Sequence, residues 1–161
     1  MSIAGFRTIG IAATLLASIA TANAESQTGS CSPTKVRFVS SEGGGFAFYK
    51  HHFKTIPETG TVSFVQGGAG PSCVIVTFSA QLFLDTFHGT VRAVMDSEVV
   101  AEPAEAPLSV QNLGTHTSVF MFPNVASGPH VIRMQVRKTS GDDVVSSGEI
   151  EAMNVVVRHA P

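Results

Sequence analysis

The residues with chemically useful side chains are few in this chain and widely spaced. Six histidines are present: His51, His52, His88, His116, His130 and His159. Together with Met121 and Met153 they offer nitrogen and sulfur donors of the kind that suits copper. The spacing gives no local site. On a strand the adjacent His51 and His52 point to opposite faces. His130 and Met134 would share a face but stand roughly 13 Å apart along a strand, too far for one ion. There is no HExxH and no paired CxxC. A metal site would have to assemble across strands from His88, His116 or His159 with Met121 or Met153, so no metal or cofactor is expected. His130 falls on the face of Ile132, Met134 and Val136, which predicts a buried neutral imidazole bonded to a backbone carbonyl.

Catalytic arrangements are equally thin, and no catalytic residue is assigned. No Gly-x-Ser-x-Gly elbow occurs. Asp85, Asp96 and Glu98 could supply a carboxylate pair for glycoside chemistry. However, Asp96-Ser97 reads as a hairpin turn before Val99 and Val100, and Asp142-Asp143 as turn residues. Cys31 and Cys73 lack the context of thiol catalysis. The runs Gly43-Gly44-Gly45 and Gly67-Gly68-Ala69-Gly70 precede neither a helical pattern nor a Lys-Ser/Thr pair, so they read as turns joining strands rather than as phosphate loops. What remains is recognition. Phe46, Phe48, Tyr49 and Phe53 crowd one short stretch beside Lys50, His51 and His52. Aromatics next to polar groups suit sugar stacking or protein contact, and Phe48, Tyr49, Lys50, His51 and His52 form the candidate recognition surface. The bland account is that the phenylalanines of this stretch fill the core.

The elements that would carry these residues read as strands. From Cys73 to Asp85, Val74, Val76, Phe78, Ala80, Leu82 and Leu84 fall on one face, and Thr77, Ser79, Gln81 and Asp85 on the other. That is a period of two over a dozen residues. Similar stretches cover 35–40, 46–53, 61–65, 90–96, 115–122, 130–139 and 150–158, with Val91, Ala93 and Met95 inward. Turns are marked by Asn124 to Pro129 and by Ser140 to Asp143. The segment AEPAEAPL from Ala101 to Leu108 reads as a surface loop broken by Pro103 and Pro107. No long capped i, i+3, i+4 pattern occurs. The expected fold is all-β: an antiparallel β-sandwich of about eight strands, jelly-roll-like, with an immunoglobulin-like order as the alternative.

The first 24 residues read as a cleaved signal peptide. Arg7 precedes an apolar stretch from Thr8 to Ala20, and Ala22-Asn23-Ala24 supplies a small-x-small cleavage site. Removal of 24 of the 161 residues leaves 137, enough for a single domain. Residues 25–34 read as a flexible N-terminal segment and 35–161 as the domain. No further apolar run approaches the roughly 20 residues of a membrane span. Export places Cys31 and Cys73 in an oxidising compartment, where a disulfide closing about 43 residues would contribute roughly 4 kcal/mol on the chain-entropy model. Without Arg7 there are 9 basic against 12 acidic side chains, which excludes an electrostatic pull toward nucleic acid or anionic lipid. No Asn-x-Ser/Thr acceptor is present, which points to a bacterial source and a periplasmic or extracellular location.

The run from Phe122 to Arg137, FPNVASGPHVIRMQVR, resembles a loop-and-strand element of bacterial exported β-sandwich and jelly-roll domains, in which such a phrase starts a late strand before a final hairpin. Those domains include sugar binders and adhesive modules, so the resemblance implies the fold and leaves function open. The expectation is an exported, non-enzymatic binding or structural module whose partner is a protein or a glycan, with a periplasmic copper-binding protein as the alternative. Self-association through exposed apolar strand faces would suit such a module.

Overall fold

The computed structural model describes residues 31, 33–48, 50–84, 88–108, 112–140 and 148–161. The segment read as a signal peptide, Asp85 and the turn at Asp142-Asp143 lie outside the described residues. Strands form where the apolar alternation predicts them: β1 Lys35–Phe48, β2 Lys54–Thr55, β3 Thr61–Gln66, β4 Ser72–Leu84, β5 Gly89–Met95, β6 Val99–Val100, β7 Ala106–Leu108, β8 Asn112–Val125, β9 Gly128–Lys138 and β10 Gly148–His159. A 3-10 turn, Glu58–Gly60, precedes β3.

Two antiparallel sheets face each other. The first, sheet A, has the order β1-β10-β4-β8. In the second, sheet B, β9 lies between β5 and the pair β2 and β3, and β5 carries β6 and β7 on its far side. The short strands β2 and β3 share one lane, as do β6 and β7, so ten strands fill eight lanes. No two consecutive strands pair within sheet A, whereas an immunoglobulin-like domain pairs its first two strands. The order is that of a jelly roll, and the immunoglobulin-like alternative is set aside.

The inner faces meet in one core. Val74, Val76, Phe78, Ala80, Leu82 and Leu84 of β4 point into it, as do Phe120 and Phe122 of β8, Ile132, Met134 and Val136 of β9, and Val91, Ala93 and Met95 of β5. Bulges keep this alternation in phase. In β10 the register shifts between Ile150 and Ala152, so the inward residues change from Ile150 to Met153, Val155 and Val157. In β1 it shifts between Glu42 and Phe46, so inward residues change from odd-numbered Val39 and Ser41 to even-numbered Phe46 and Phe48. Gly43-Gly44-Gly45 therefore sits inside a strand, as the inserted residues of a bulge, and is not a turn between two strands. A Cβ at Gly45 would collide with the Glu149 side chain.

Gly67 to Gly70 is a turn, between β3 and β4, with Gly68 at a φ of 98°. The segment read as a plain loop from Ala101 to Leu108 is held at both ends. Glu102 exchanges two backbone bonds with Met121 of β8, and Ala106–Leu108 pairs with β5 as β7. Asp96 and Ser97 both have positive φ, 51° and 73°, in the β5–β6 hairpin turn, closed by the Glu98 N–H on the Met95 carbonyl at 3.2 Å. On edge strand β1, Lys35 and Arg37 sit opposite His159 and Val157, on the inward parity, yet remain exposed. Inward-pointing charge at an edge discourages strand addition by another chain. The Cys31–Cys73 disulfide, with a Cα–Cα distance of 5.4 Å, ties the chain before β1 to the start of β4.

Replacing Phe78, fully buried at the centre of the core, by alanine is expected to cost about 3–5 kcal/mol, measured as a drop in urea midpoint with unchanged slope. The double variant Cys31→Ser/Cys73→Ser is expected to unfold about 2–4 kcal/mol more easily than the oxidised protein; equal midpoints would show that the bridge contributes nothing.

Candidate functional site

The stretch between β1 and β2 divides between interior and surface. Phe48, part of the recognition surface expected from the sequence, is 1% exposed and belongs to the core, so it cannot meet a partner. The second bulge parity of β1 turns it inward. Tyr49 lies outside the described residues. Lys50, His51 and His52 are exposed at the end of β9. The Lys138 N–H donates to the Lys50 carbonyl at 2.9 Å, and the His51 Nδ1–H to the Lys138 carbonyl at 3.2 Å. Phe53 continues onto the outer face of sheet B, where the Arg92 guanidinium lies 3.7 Å from its ring centre and that of Arg137 4.7 Å.

These arginines belong to a planar polar network. Arg92 Nε donates to Gln135 Oε1 at 2.8 Å, and Gln135 Nε2 donates to Thr55 Oγ1 at 3.3 Å. Arg137 binds both oxygens of Glu105, at 2.9 and 2.8 Å, and Thr90 donates to the same carboxylate at 2.9 Å. Burial pushes the Arg92 guanidinium below its ordinary value first; Glu105 opposes this and Arg137 adds to it. Sequence reading missed this network because its members come from four separate segments.

Of the histidines and methionines expected to offer cross-strand metal ligands, only Met153 and His116 share a row, on either side of Ala80; the others lie apart. His88 is exposed before β5 in sheet B. His116 sits in β8 opposite Ala80, its Nε2 2.7 Å from Ser118 Oγ, and burial pushes its imidazole pKa down. Met121, of the other parity on β8, sits opposite Ile75 on the outer face. His159 is buried, with its Nδ1–H donating to the Ala160 carbonyl at 2.8 Å and its ring against Phe64. Its neighbour Arg158 sits opposite Ile75, which places His159 roughly 17 Å or more from His116 along β4. Among the described residues no group of three His, Cys, Asp or Glu side chains could hold a metal ion.

His130 departs from the neutral, carbonyl-bonded imidazole expected for it. Its Nε2 does meet a carbonyl, Ala126 O, at 2.9 Å, but Nδ1 lies 2.7 Å from Asp96 Oδ2. Both partners accept only, so both ring nitrogens donate and the charged imidazolium is favoured. Burial pulls the His130 pKa down, but the bonds to Asp96 and Ala126 and the charge of Asp96 raise it above its ordinary value. For Asp96 burial acts upward, and is outweighed by the bonds from His130 and the Val131 N–H and by the charges of His130 and Arg133, so its value falls. With Nε2 capped by a carbonyl, the pair clamps the β5–β6 turn to the start of β9 and leaves no nitrogen for general-base work.

The outer face of sheet A is different in character. One row across its four strands reads Phe38, Val156, Thr77 and Val119; its neighbours are Val36, Arg158, Ile75 and Met121 on one side and Ser40, Asn154, Ser79 and Thr117 on the other. Phe38 is 69% exposed, Val119 55% and Val36 54%. Beside this apolar row, the β10 bulge opens a shallow depression of about 270 Å³ whose lining includes Ser40, Ser79, Gln81, Thr115 and Asn154. Among the residues whose side chains are described, those lining it are uncharged. A second cleft, of about 310 Å³, lies where the 3-10 turn approaches β1 and β10, between Phe46, Ile56, Ile150 and Met153 with Ser41, Glu58 and Thr59. Ser79 and Gln81 were legible as the polar face of β4; the neighbours that complete the depression were not.

No protein-family model matches the chain, and no curated protein matches it. Among solved structures, the chain is similar to the capsid chain of the infectious bursal disease virus T13 particle at 9% identity and a TM-score of 0.45, over 80% of this chain and 32% of that one. It is also similar to the EclA C-terminal domain, a sugar-binding protein, at 11% identity and a TM-score of 0.35, over 84% and 88%. A family two carbohydrate esterase from Cellvibrio japonicus matches at 10% identity and a TM-score of 0.26, over 76% and 36%. The chain spans about a third of the length of the capsid chain. Among the described residues no helix is long and apolar enough to cross a membrane.

The His130–Asp96 clamp has a defined pH window. The raised His130 value adds stability in full below its ordinary 6.5, lost as pH rises through the folded value. The lowered Asp96 value adds stability above its ordinary 3.8, lost as pH falls through the folded value. The stability gap between wild type and His130→Gln, from urea unfolding at a series of pH values, is therefore expected to be widest between these two values and to narrow in alkali. A gap constant from pH 5 to pH 9 would contradict the clamp.

Proposed function

We propose that this chain is an exported, non-enzymatic binding module, and that its ligand is an uncharged glycan seated on the outer face of sheet A. The observation that carries this reading is the depression lined by the hydroxyl and amide side chains of Ser40, Ser79, Gln81, Thr115 and Asn154 beside the exposed ring of Phe38. A sugar ring has an apolar C–H face and a rim of hydroxyls. An exposed aromatic accepts the first. Hydroxyl and amide side chains both donate and accept, and so match the second. Ser40, Gln81, Thr115 and Asn154 make no side-chain hydrogen bond to another described residue, so their hydrogen-bonding capacity is open to a ligand.

The disulfide supports an oxidising compartment, and the N-terminal segment with its small-x-small site supports export to the periplasm or the outside of a bacterial cell. A second reading, contact with another protein or a second copy of the chain, draws on the same face, where Val36, Phe38, Ile75, Met121 and Val119 form an apolar patch interrupted by Arg158.

Titration of the oxidised protein against neutral oligosaccharides, followed by calorimetry, tests the glycan reading. One series is expected to bind. Phe38→Ala is expected to weaken it about tenfold, and Gln81→Ala and Asn154→Ala to weaken it less, with melting temperatures unchanged. Binding that survives Phe38→Ala, or no binding by any neutral series, would overturn it. A sedimentation profile showing a dimer that Phe38→Ala dissociates would favour the second reading.

A further inference from the structure

The opposite outer face, that of sheet B, carries three arginines, Arg92, Arg133 and Arg137, against the two carboxylates of Glu105 and Asp96. Arg92 of β5 lies opposite Gln135 of β9, and Arg133 is two residues along β9. The two arginines are therefore diagonal neighbours on one face, about 7–8 Å apart at the backbone. Each is already held in place. Arg92 is held by Gln135 through Nε and by the Phe53 ring, whose centre lies 3.7 Å from its guanidinium carbon. Arg133 is held through one terminal nitrogen by Ser97 Oγ at 2.7 Å.

The acids nearby are committed elsewhere. Glu105 is forked onto Arg137, with Arg92 in its field but not at ion-pair distance, and Asp96 is paired with His130. Arg133 lies within the field of Asp96 but not at ion-pair distance from it. Among the described residues, neither Arg92 nor Arg133 has a carboxylate partner. Arg92 thus presents both terminal nitrogens, and Arg133 one, from side chains whose orientation is already set. A guanidinium fork held against an aromatic ring is preorganised for an oxygen anion, and its ordering cost is met before the ligand arrives.

We propose that Arg92 and Arg133 form an oxyanion subsite, with Phe53, Gln135 and Ser97 as its positioning residues, and that it takes one sulfate, phosphate or carboxylate group. It is separate from the glycan platform, being on the other sheet and built from other residues, and it stands or falls independently. The anion is either free in solution or one group on a larger chain. The acidic excess of the whole molecule, 12 Asp and Glu against 10 Lys and Arg, restricts attraction to the local patch rather than to long polyanions.

Inorganic sulfate, and separately an oligogalacturonate, are titrated into the oxidised full chain against chloride at matched ionic strength, with calorimetry and thermal melting as readouts. Sulfate is expected to bind at one site and raise the melting temperature above that in chloride. Arg92→Lys, which keeps the charge and removes the fork, is expected to weaken binding about tenfold, and Arg133→Gln by a similar factor. Both variants should melt in chloride close to wild type. Tighter binding of oligogalacturonate than of sulfate would identify a chain-borne anion, and tighter sulfate binding a free one; both support the subsite. Identical responses to sulfate and chloride in wild type, or variants that bind sulfate as wild type does, would overturn it.

Discussion

One dry interior shared by two sheets constrains everything else in this molecule. Each strand must turn its apolar parity toward the same slab, and a slip of one residue would send that set to water. The chain meets this demand with bulges. The irregularity between Ile150 and Ala152 switches β10 from even to odd inward residues, and the glycine-rich insertion between Glu42 and Phe46 does the reverse in β1. Phe48 is thereby drawn into the core beside Leu108 and Gly89.

Because the inner faces are fully given to packing, chemistry is left to the outward parity, and the two outer faces diverge. On sheet A the described outward residues are mostly hydroxyls, amides and apolar side chains, with Phe38 and Arg158 among them. On sheet B they include three arginines, and these need company: a glutamate from the segment before β7, a glutamine from the adjacent strand, and a phenylalanine from the crossing between sheets. The crossing segments do more than connect the layers. They carry the groups that hold the surface side chains in place.

The strands were legible wherever alternation was sustained. The inward set of β4 from Val74 to Leu84, the inward Val91, Ala93 and Met95, and the hairpin at Asp96-Ser97 all follow from period and turn chemistry alone. Gly43 to Gly45 misled because glycine serves turns and bulges equally, and only the partner strand distinguishes them. His130 misled because parity reports which face a residue occupies but not which carboxylate a distant hairpin brings to it. Neither the Arg92–Gln135–Arg137 cluster nor the depression around Gln81 and Asn154 was legible for the same reason. Each joins residues tens of positions apart, and the single-chain pattern holds no record of lane order.

Lane order also sets what sheet A needs in order to close. Strand β10 lies between β1 and β4. Without residues 148–159, β1 would have no hydrogen-bonded partner in its sheet and β4 would keep one edge open. Both partners of β10 come from far earlier in the sequence, so the middle of sheet A is held entirely by long-range pairings, the kind whose loop closure makes folding slow.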